Sequence, residues 1–319
     1  MRPGPITEKS MREIRIRLLW HKQAQFAGYL LAEELGLGND AGVQIVCEGL
    51  DFSCKHVNAV LEGRTEMCVA SPAHLVESSD PAALRWLLAI QQKSPLVYPA
   101  RRSDGIETLA DLAGKRAGVW PGHEDLELRW MLSRAGLPED AVTRVEMPDT
   151  VAPFLTGETA TGQMTCYHEL HMVEHAIPPE DLVIFDGKDT GCGILKDGLI
   201  ASAALVEEEP GVVQAVVNAV LEGWTMAFDD PARAVAACLA VRPDRSAPEE
   251  EAQLAAIRAL SLTGATLTEG LGFPDPAHME SAVTAMRELG ETVPDTEGLR
   301  DARFWQAAPE AFRRTGWEA

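Results

Sequence analysis

Short continuous apolar runs alternate along this chain with stretches in which apolar side chains recur every third or fourth position, and that alternation predicts strands and helices in turn. Residues 14–20 read as a strand and 23–36 as a helix stopped by Gly36. A second strand at 43–47, a helix at 54–62 ended by Gly63 and a third strand at 66–70 follow, and Pro72 opens the next helix. Such a βαβαβ series is the pattern of a mostly parallel sheet covered by helices. Strands are expected again at 85–90 and 95–100, with a short helix at 106–112. The series then restarts: strand 116–120, helix 124–135 capped by Gly136, strand 142–146, and a strand at 162–166 that runs into a helix near Tyr167. Return strands are expected at 182–185 and 199–202. Beyond Pro210 the pattern is helical, with 212–228, 231–240, 248–262 and 276–289 each opened by a proline near the first turn. A tail of this kind is expected to lay its Val, Leu and Ala stripe on the outside of the lobes.

Two consecutive series within 319 residues suit two cores better than one, because domains mostly run ~100 to 200 residues. With 46% hydrophobic and 24% charged residues the composition is that of a globular protein. No run of about 18 apolar residues suggests insertion into a membrane. The net charge of −21 weighs against nucleic acid as a partner, since a phosphate backbone is bound mainly through Lys and Arg; a solvated acidic surface accounts for it. Cys47, Cys54, Cys68, Cys166, Cys192 and Cys238 form no CxxC pair, which argues against a zinc ribbon or a redox motif. Free thiols in a reducing compartment fit that spacing, while the even count leaves disulfides open. Residues 1–17 hold no apolar stretch of the ~7 to 15 residues an export signal needs, so the chain as written is expected in the cytoplasm; a start further upstream would allow a periplasmic protein.

In open α/β sheets, ligands sit beyond the carboxyl ends of the strands, where loop amides and helix starts converge. That rule selects the loops at 20–26, 49–53, 70–73, 120–124 and 167–169. Trp20, Trp120 and Tyr167 can offer flat faces to a ring, and Glu169 can accept paired N–H donors. Gly49, Ser71, Gly122 and Gly191 let backbone amides approach a ligand, and Gln25 and Asp51 complete the candidate set. Packing competes with each assignment, because a tryptophan ending a buried strand is commonly a core residue. His168, His171 and His175, at i, i+3 and i+7, line one helix face, where they could ligate a metal or simply form a solvated polar face. The chain has no GxSxG elbow, HExxH, Walker loop or dinucleotide fingerprint, which points to binding rather than catalysis.

Several of these loops carry a family resemblance. The stretches LLWHKQAQFAGYLLAEELGL, LADLAGKRAGVWPGHEDLEL, MTCYHEL and DGLIASAALVEEEPGVVQAVVNAVLEGWTMAFDDPARAV resemble, over about 14–240, the nitrate, sulfonate, taurine and thiamine-precursor solute-binding proteins of ABC-type importers. The fungal-type pyrimidine synthases of thiamine biosynthesis share that pattern. The resemblance implies a type II periplasmic-binding-protein-like α/β fold: two lobes around a central ligand cleft, a helical C-terminal tail and closure by a hinge. Residues 14–100 plus 203–319 would form the first lobe and 101–202 the second. It also implies a small heterocycle such as a thiamine pyrimidine precursor as ligand, an ABC permease as partner and no cofactor. Trp20 and Tyr167 would stack on the ring, Glu169 would pair with its amino edge, and Gly49 to Ser53, Ser71 and the 118–122 loop would line the rest. His168 stands where the family pattern has Asn. The synthases use pyridoxal phosphate on a lysine, a histidine four residues later that is consumed, and a cysteine-rich iron run. Here Ala70 replaces the lysine, His74 follows four residues on, and Cys192 is the single cysteine of the last stretch. A cytosolic ligand sensor of the same fold is a further reading.

Overall fold

The computed structural model describes residues 11–122 and 124–317; the first ten residues, with which the stretch read for an export signal begins, lie outside it. Eleven strands occur among the described residues: β1 Arg12–Arg17, β2 Val43–Glu48, β3 Met67–Val69, β4 Leu84–Leu88, β5 Leu96–Arg101, β6 Arg116–Val119, β7 Thr143–Glu146, β8 Thr161–Gly162, β9 Met164–Thr165, β10 Leu182–Asp186 and β11 Leu199–Ser202. One lobe is built on a five-stranded sheet of order β2-β1-β3-β11-β4. Its β1 runs parallel to β2 and β3, and the return strand β11 is antiparallel to β3 and β4. The other lobe holds a parallel trio β7-β6-β8 and an antiparallel trio β10-β5-β9.

The chain crosses between lobes twice, through 89–95 and through the segment that leads to β11. The crossings are tied together, since the backbone N–H of Gln91 donates to Asp197 Oδ2 at 2.9 Å. Asp197 is buried, and burial pushes its carboxyl up to about 6 despite the backbone N–H groups it accepts.

Differences from the sequence reading have local causes. The first strand ends at Arg17, not Trp20, because the chain turns there and Trp20 offers its carbonyl to the Leu50 N–H at 3.1 Å. The expected strand 162–166 is two short strands in two different sheets, β8 and β9, separated by Gln163. The Gln163 side chain is turned inward to accept from the Trp120 N–H and donate to the Glu124 carbonyl. Helices Val151–Leu155 and Gly187–Thr190 were not expected; each is about one turn long, too short for a 3.6-residue period to register.

The tail is more than an outer layer. Helix Pro210–Asp229 buries Val213, Val216, Val217, Val220, Leu221 and Trp224 within the first lobe. By length and apolarity it would suit a bilayer, but 67% of its most apolar window is covered by the rest of the protein. It crosses helix Ala27–Glu34 closely enough that a Cβ on Gly223 would lie 2.1 Å from the Gly28 carbonyl oxygen. Helix Pro276–Glu288 joins the lobes: Met279, Val283 and Met286 share one apolar cluster with Leu75 and Val76 of the first lobe and with Leu128 and Met131 of the second. Its Glu288 accepts from Trp130 Nε1 at 2.6 Å and pairs with Arg134 at 2.8 Å.

All six cysteines are free thiols, and five of them are buried. Burial raises the thiols of Cys166 to about 11 and Cys238 to about 12, which disfavours the reactive thiolate at neutral pH.

Candidate functional site

A cleft with about 740 Å³ of empty space, counting the part open to solvent, lies between the lobes. The first lobe contributes Leu19, Trp20, Gln23 and Gln25 from the loop after β1, Leu50 and Phe52 from the loop after β2, and Lys55 and His56 at the start of helix His56–Leu61. The second lobe contributes Trp120, Pro121 and Glu124 after β6, Pro148 after β7, and Thr165, Tyr167, His168 and Glu169 at and after β9. Pro95 and Lys196 come from the crossings, and Leu96 is the first residue of β5. The Trp20 ring meets Phe52 edge-on, with centroids 5.5 Å apart, and Phe52 stays 54% exposed, an aromatic face left available at the rim.

Of the residues singled out from the sequence, Trp20, Gln25, Trp120, Tyr167 and Glu169 line this cleft, and His168 does too. Burial holds the Tyr167 hydroxyl well above its usual range, with the Glu169 charge adding to the effect, so it is a neutral group. Glu169 accepts the Thr165 backbone N–H at 3.0 Å and also the Thr165 hydroxyl, both on Oε2.

The remaining candidates sit elsewhere. Gly49 and Asp51 are not in the lining. The Asp51 carboxylate instead accepts from the backbone N–H and hydroxyl of Ser53 and faces Arg17. Ser71 is fully buried and caps helix Pro72–Val76. Gly122, at φ 90°, gives its N–H to Glu146 at 3.2 Å. Gly191 closes the turn after helix Gly187–Thr190 at φ 72°. His171 and His175 do not line the cleft: His171 pairs with Glu174 at 3.2 Å, and His175 Nδ1 bonds the His171 carbonyl, so these two close a local exposed network.

The floor of the cleft holds a cluster the sequence reading did not assemble. Glu124 is 7% exposed, and its Oε2 accepts from His74 Nε2 at 3.0 Å and from Lys196 Nζ at 2.7 Å. His56 Nε2 lies 3.7 Å from Glu124 Oε1, and the rings of His56 and His74 stack with centroids 4.4 Å apart. Burial would raise the Glu124 carboxyl, but facing His74 and Lys196 outweighs it and holds the group well below the usual carboxylate range. Burial pushes His74 down to about 4, so its ring is neutral at physiological pH. The Ser71 N–H donates to His74 Nδ1 at 3.2 Å, which puts the ring proton on Nε2, facing Glu124. Ser71, proposed as a ligand contact, thus acts one step behind the cleft by fixing the histidine that holds Glu124. The sequence offered hints: Glu124 ends the selected loop at 120–124, and Lys196 interrupts the apolar run before β11.

His56, His74 and Glu124 have ligand atoms within 4.8 Å of one another, a set that could in principle take a metal ion. Two features fill that role already. The Lys196 ammonium supplies the positive charge at Glu124, and the Ser71 bond commits His74 Nε2 to a proton. The pyridoxal-phosphate chemistry of the synthases does not fit either. Ala70 is fully buried where the lysine would stand, and the Lys196 amine is engaged by the Glu124 carboxylate and carbonyl.

Fold and cleft together define a class: a two-lobed α/β protein of the type II periplasmic-binding-protein kind with a helical C-terminal tail. The family model described as NMT1/THI5 like matches residues 23–234, and the chain belongs to that family. Among solved structures it is similar to the periplasmic aliphatic sulphonate binding protein SsuA from Escherichia coli, with 15% identity, 91% of each chain covered and a TM-score of 0.65. It is also similar to the periplasmic nitrate-binding protein NrtA from Synechocystis PCC 6803, with 12% identity, 94% of this chain and 88% of that one covered, and a TM-score of 0.68. A ligand-binding component of an ABC-type import system from Staphylococcus aureus, solved with zinc bound, aligns over 94% of this chain and 99% of its own at 12% identity and a TM-score of 0.68. No curated protein matches the chain by sequence.

Proposed function

We propose that the protein is a solute-binding protein whose cleft takes a small flat heterocycle, an aminopyrimidine of the thiamine-precursor type, for delivery to an ABC-type permease. One observation carries the reading: Trp20 from one lobe and Trp120, Tyr167 and Glu169 from the other line a single cleft. Aromatic faces give a planar ring its stacking energy, and the carboxylate supplies an acceptor for an amino group at the ring edge. Membership of the NMT1/THI5-like family and likeness to sulphonate- and nitrate-binding proteins support the binding role.

The test is differential scanning fluorimetry with an aminopyrimidine. A ligand that binds only the folded state must raise the melting temperature, by an amount that grows with concentration above Kd. The wild type is expected to shift and Glu169→Gln to shift much less. No shift for the wild type, or equal shifts for both, would count against the reading.

A further inference from the structure

Two glutamines of the loop after β1 share one hydrogen bond and leave part of their capacity unused. Gln23 and Gln25 are 3% and 8% exposed, and both line the cleft. Gln23 Nε2 donates to Gln25 Oε1 at 3.0 Å. Gln23 Oε1 and Gln25 Nε2 then have no hydrogen-bond partner among the described residues, yet neither is sealed from solvent. The loop that carries them is fixed from behind by helix Ala247–Ser261 of the tail: Glu250 accepts the Ala24 N–H at 2.5 Å, and Gln253 accepts the Gln25 N–H at 2.9 Å. Glu250 is fully buried and is itself paired with Arg245.

A side-chain amide carries one carbonyl and one amino group, so two amides joined by one hydrogen bond leave one of each free, whichever way the pair is turned. We propose that the Gln23–Gln25 pair is a ligand-selecting element of the cleft, which takes an uncharged substituent able to donate and accept a hydrogen bond together, a hydroxyl or a carboxamide. Glu250 and Gln253 are its positioning residues, holding the loop backbone so that little freedom is left to lose on binding. An ionised carboxylate or phosphate ester would meet the free carbonyl oxygen and an ammonium the free amino group, and the pair offers neither of them an opposite charge. A methyl group would displace water from both without replacing its hydrogen bonds. This rests on the heterocycle reading of the cleft and adds a second point of contact to it. Glu169 from one lobe accepts from the amino edge of the ring, while the glutamines of the other lobe select the substituent. Sites built around a hydrogen bond discriminate strongly against analogues that lack it, because their own polar groups are then left unpaired.

Isothermal titration with a hydroxymethyl aminopyrimidine and its methyl analogue tests the proposal. The wild type should bind the alcohol about tenfold more tightly, a factor that corresponds to ~1.4 kcal/mol. The double variant Gln23→Met, Gln25→Met keeps the length of both side chains without their hydrogen-bonding groups, and it should bind the two alike. Gln25→Glu replaces the free amino group with a charged acceptor, so it should turn the preference toward the aminomethyl analogue, an ammonium at neutral pH. A preference for the alcohol that is missing from the wild type, survives in the double variant or is unmoved in Gln25→Glu overturns the role of the glutamines and leaves the heterocycle reading standing. No binding of either pyrimidine by the wild type overturns the heterocycle reading together with the inference built on it. Proton–nitrogen NMR of the wild type gives a check that needs no variant to fold: the side-chain amide signals of Gln23 and Gln25 should move further with the alcohol than with the methyl analogue, and equal movement sinks the proposal.

Discussion

Thr165 donates both its backbone N–H and its hydroxyl to the same oxygen of Glu169, four residues along the chain. The carboxylate is therefore oriented by its own turn before any ligand arrives, with the two bonds falling on Oε2. Thr165→Val keeps the volume and the backbone bond but removes the hydroxyl, so Glu169 gains freedom that binding must then take away. The expected result is aminopyrimidine affinity weakened by about three- to tenfold, in line with ~1 kcal/mol for one hydrogen bond, and little change in fold stability. Titration calorimetry and urea unfolding of the same variant separate the two effects, and unchanged affinity would show that Glu169 needs no such support.

Lys196 and Glu124 form a buried ion pair at 2.7 Å. Removing one partner strands the other charge away from water, a change that typically costs about 3 to 5 kcal/mol. Lys196→Met and Glu124→Leu should each lower the unfolding free energy measured in urea by an amount of that order. The double variant should be far less damaged than the sum, because no charge is left unpaired. Additive losses would mean that the pair is not the unit that matters.

How much of this was legible in the sequence follows from what each residue needed. Trp20 follows a strand with a plain apolar run and Tyr167 and Glu169 follow the short β9, so the rule that ligands gather at strand ends picked out loops that do line the cleft. Gly191 was a candidate for close approach of a backbone amide to a ligand, but its positive φ serves to end a short helix. Asp51 follows a strand as expected, yet it spends its carboxylate on Ser53. The floor cluster was out of reach. His56, His74, Glu124 and Lys196 come from four separate segments, and each taken singly reads as an ordinary polar position. Only the crossing of the chain between lobes brings Lys196 to Glu124, 72 residues away. The tail helices were legible as helices from their prolines and apolar stripes. That one of them would bridge both lobes depends on Glu288 meeting Trp130, a contact no periodicity encodes.

Gly223 faces the Gly28 carbonyl across the contact between helices Ala27–Glu34 and Pro210–Asp229, and a Cβ on Gly28 would in turn lie 2.2 Å from the Trp224 ring. In an exposed helix a Gly→Ala change stabilises by about 0.5 to 1 kcal/mol. Here Gly223→Ala should destabilise by about 2 kcal/mol or more, because the obstacle is backbone and both helices would have to separate. Chemical denaturation gives the sign directly; a stabilised variant would show that the crossing is looser than the contact distance implies.

The link between the crossings has a pH signature whose direction can be worked out. Asp197 titrates at about 6 in the folded protein against an ordinary value of 3.8, burial being the main cause. Between those values the folded state holds more protons than the unfolded one, so this residue's contribution to stability falls as pH rises from 4 to about 6 and levels off above 7. The gap is worth about 3 kcal/mol at most at neutral pH. Asp197→Asn retains an oxygen to accept the Gln91 N–H but cannot ionise. Its stability relative to wild type should therefore improve by about 2 to 3 kcal/mol between pH 4 and pH 8, whatever the offset at pH 4. His74 does not obscure the comparison. Its depressed value of about 4 makes stability rise with pH over the same window, but in both proteins alike. Urea unfolding at the two pH values supplies the test, and a difference between variant and wild type that stays flat would mean that Asp197 titrates normally and that the two crossings are held together some other way.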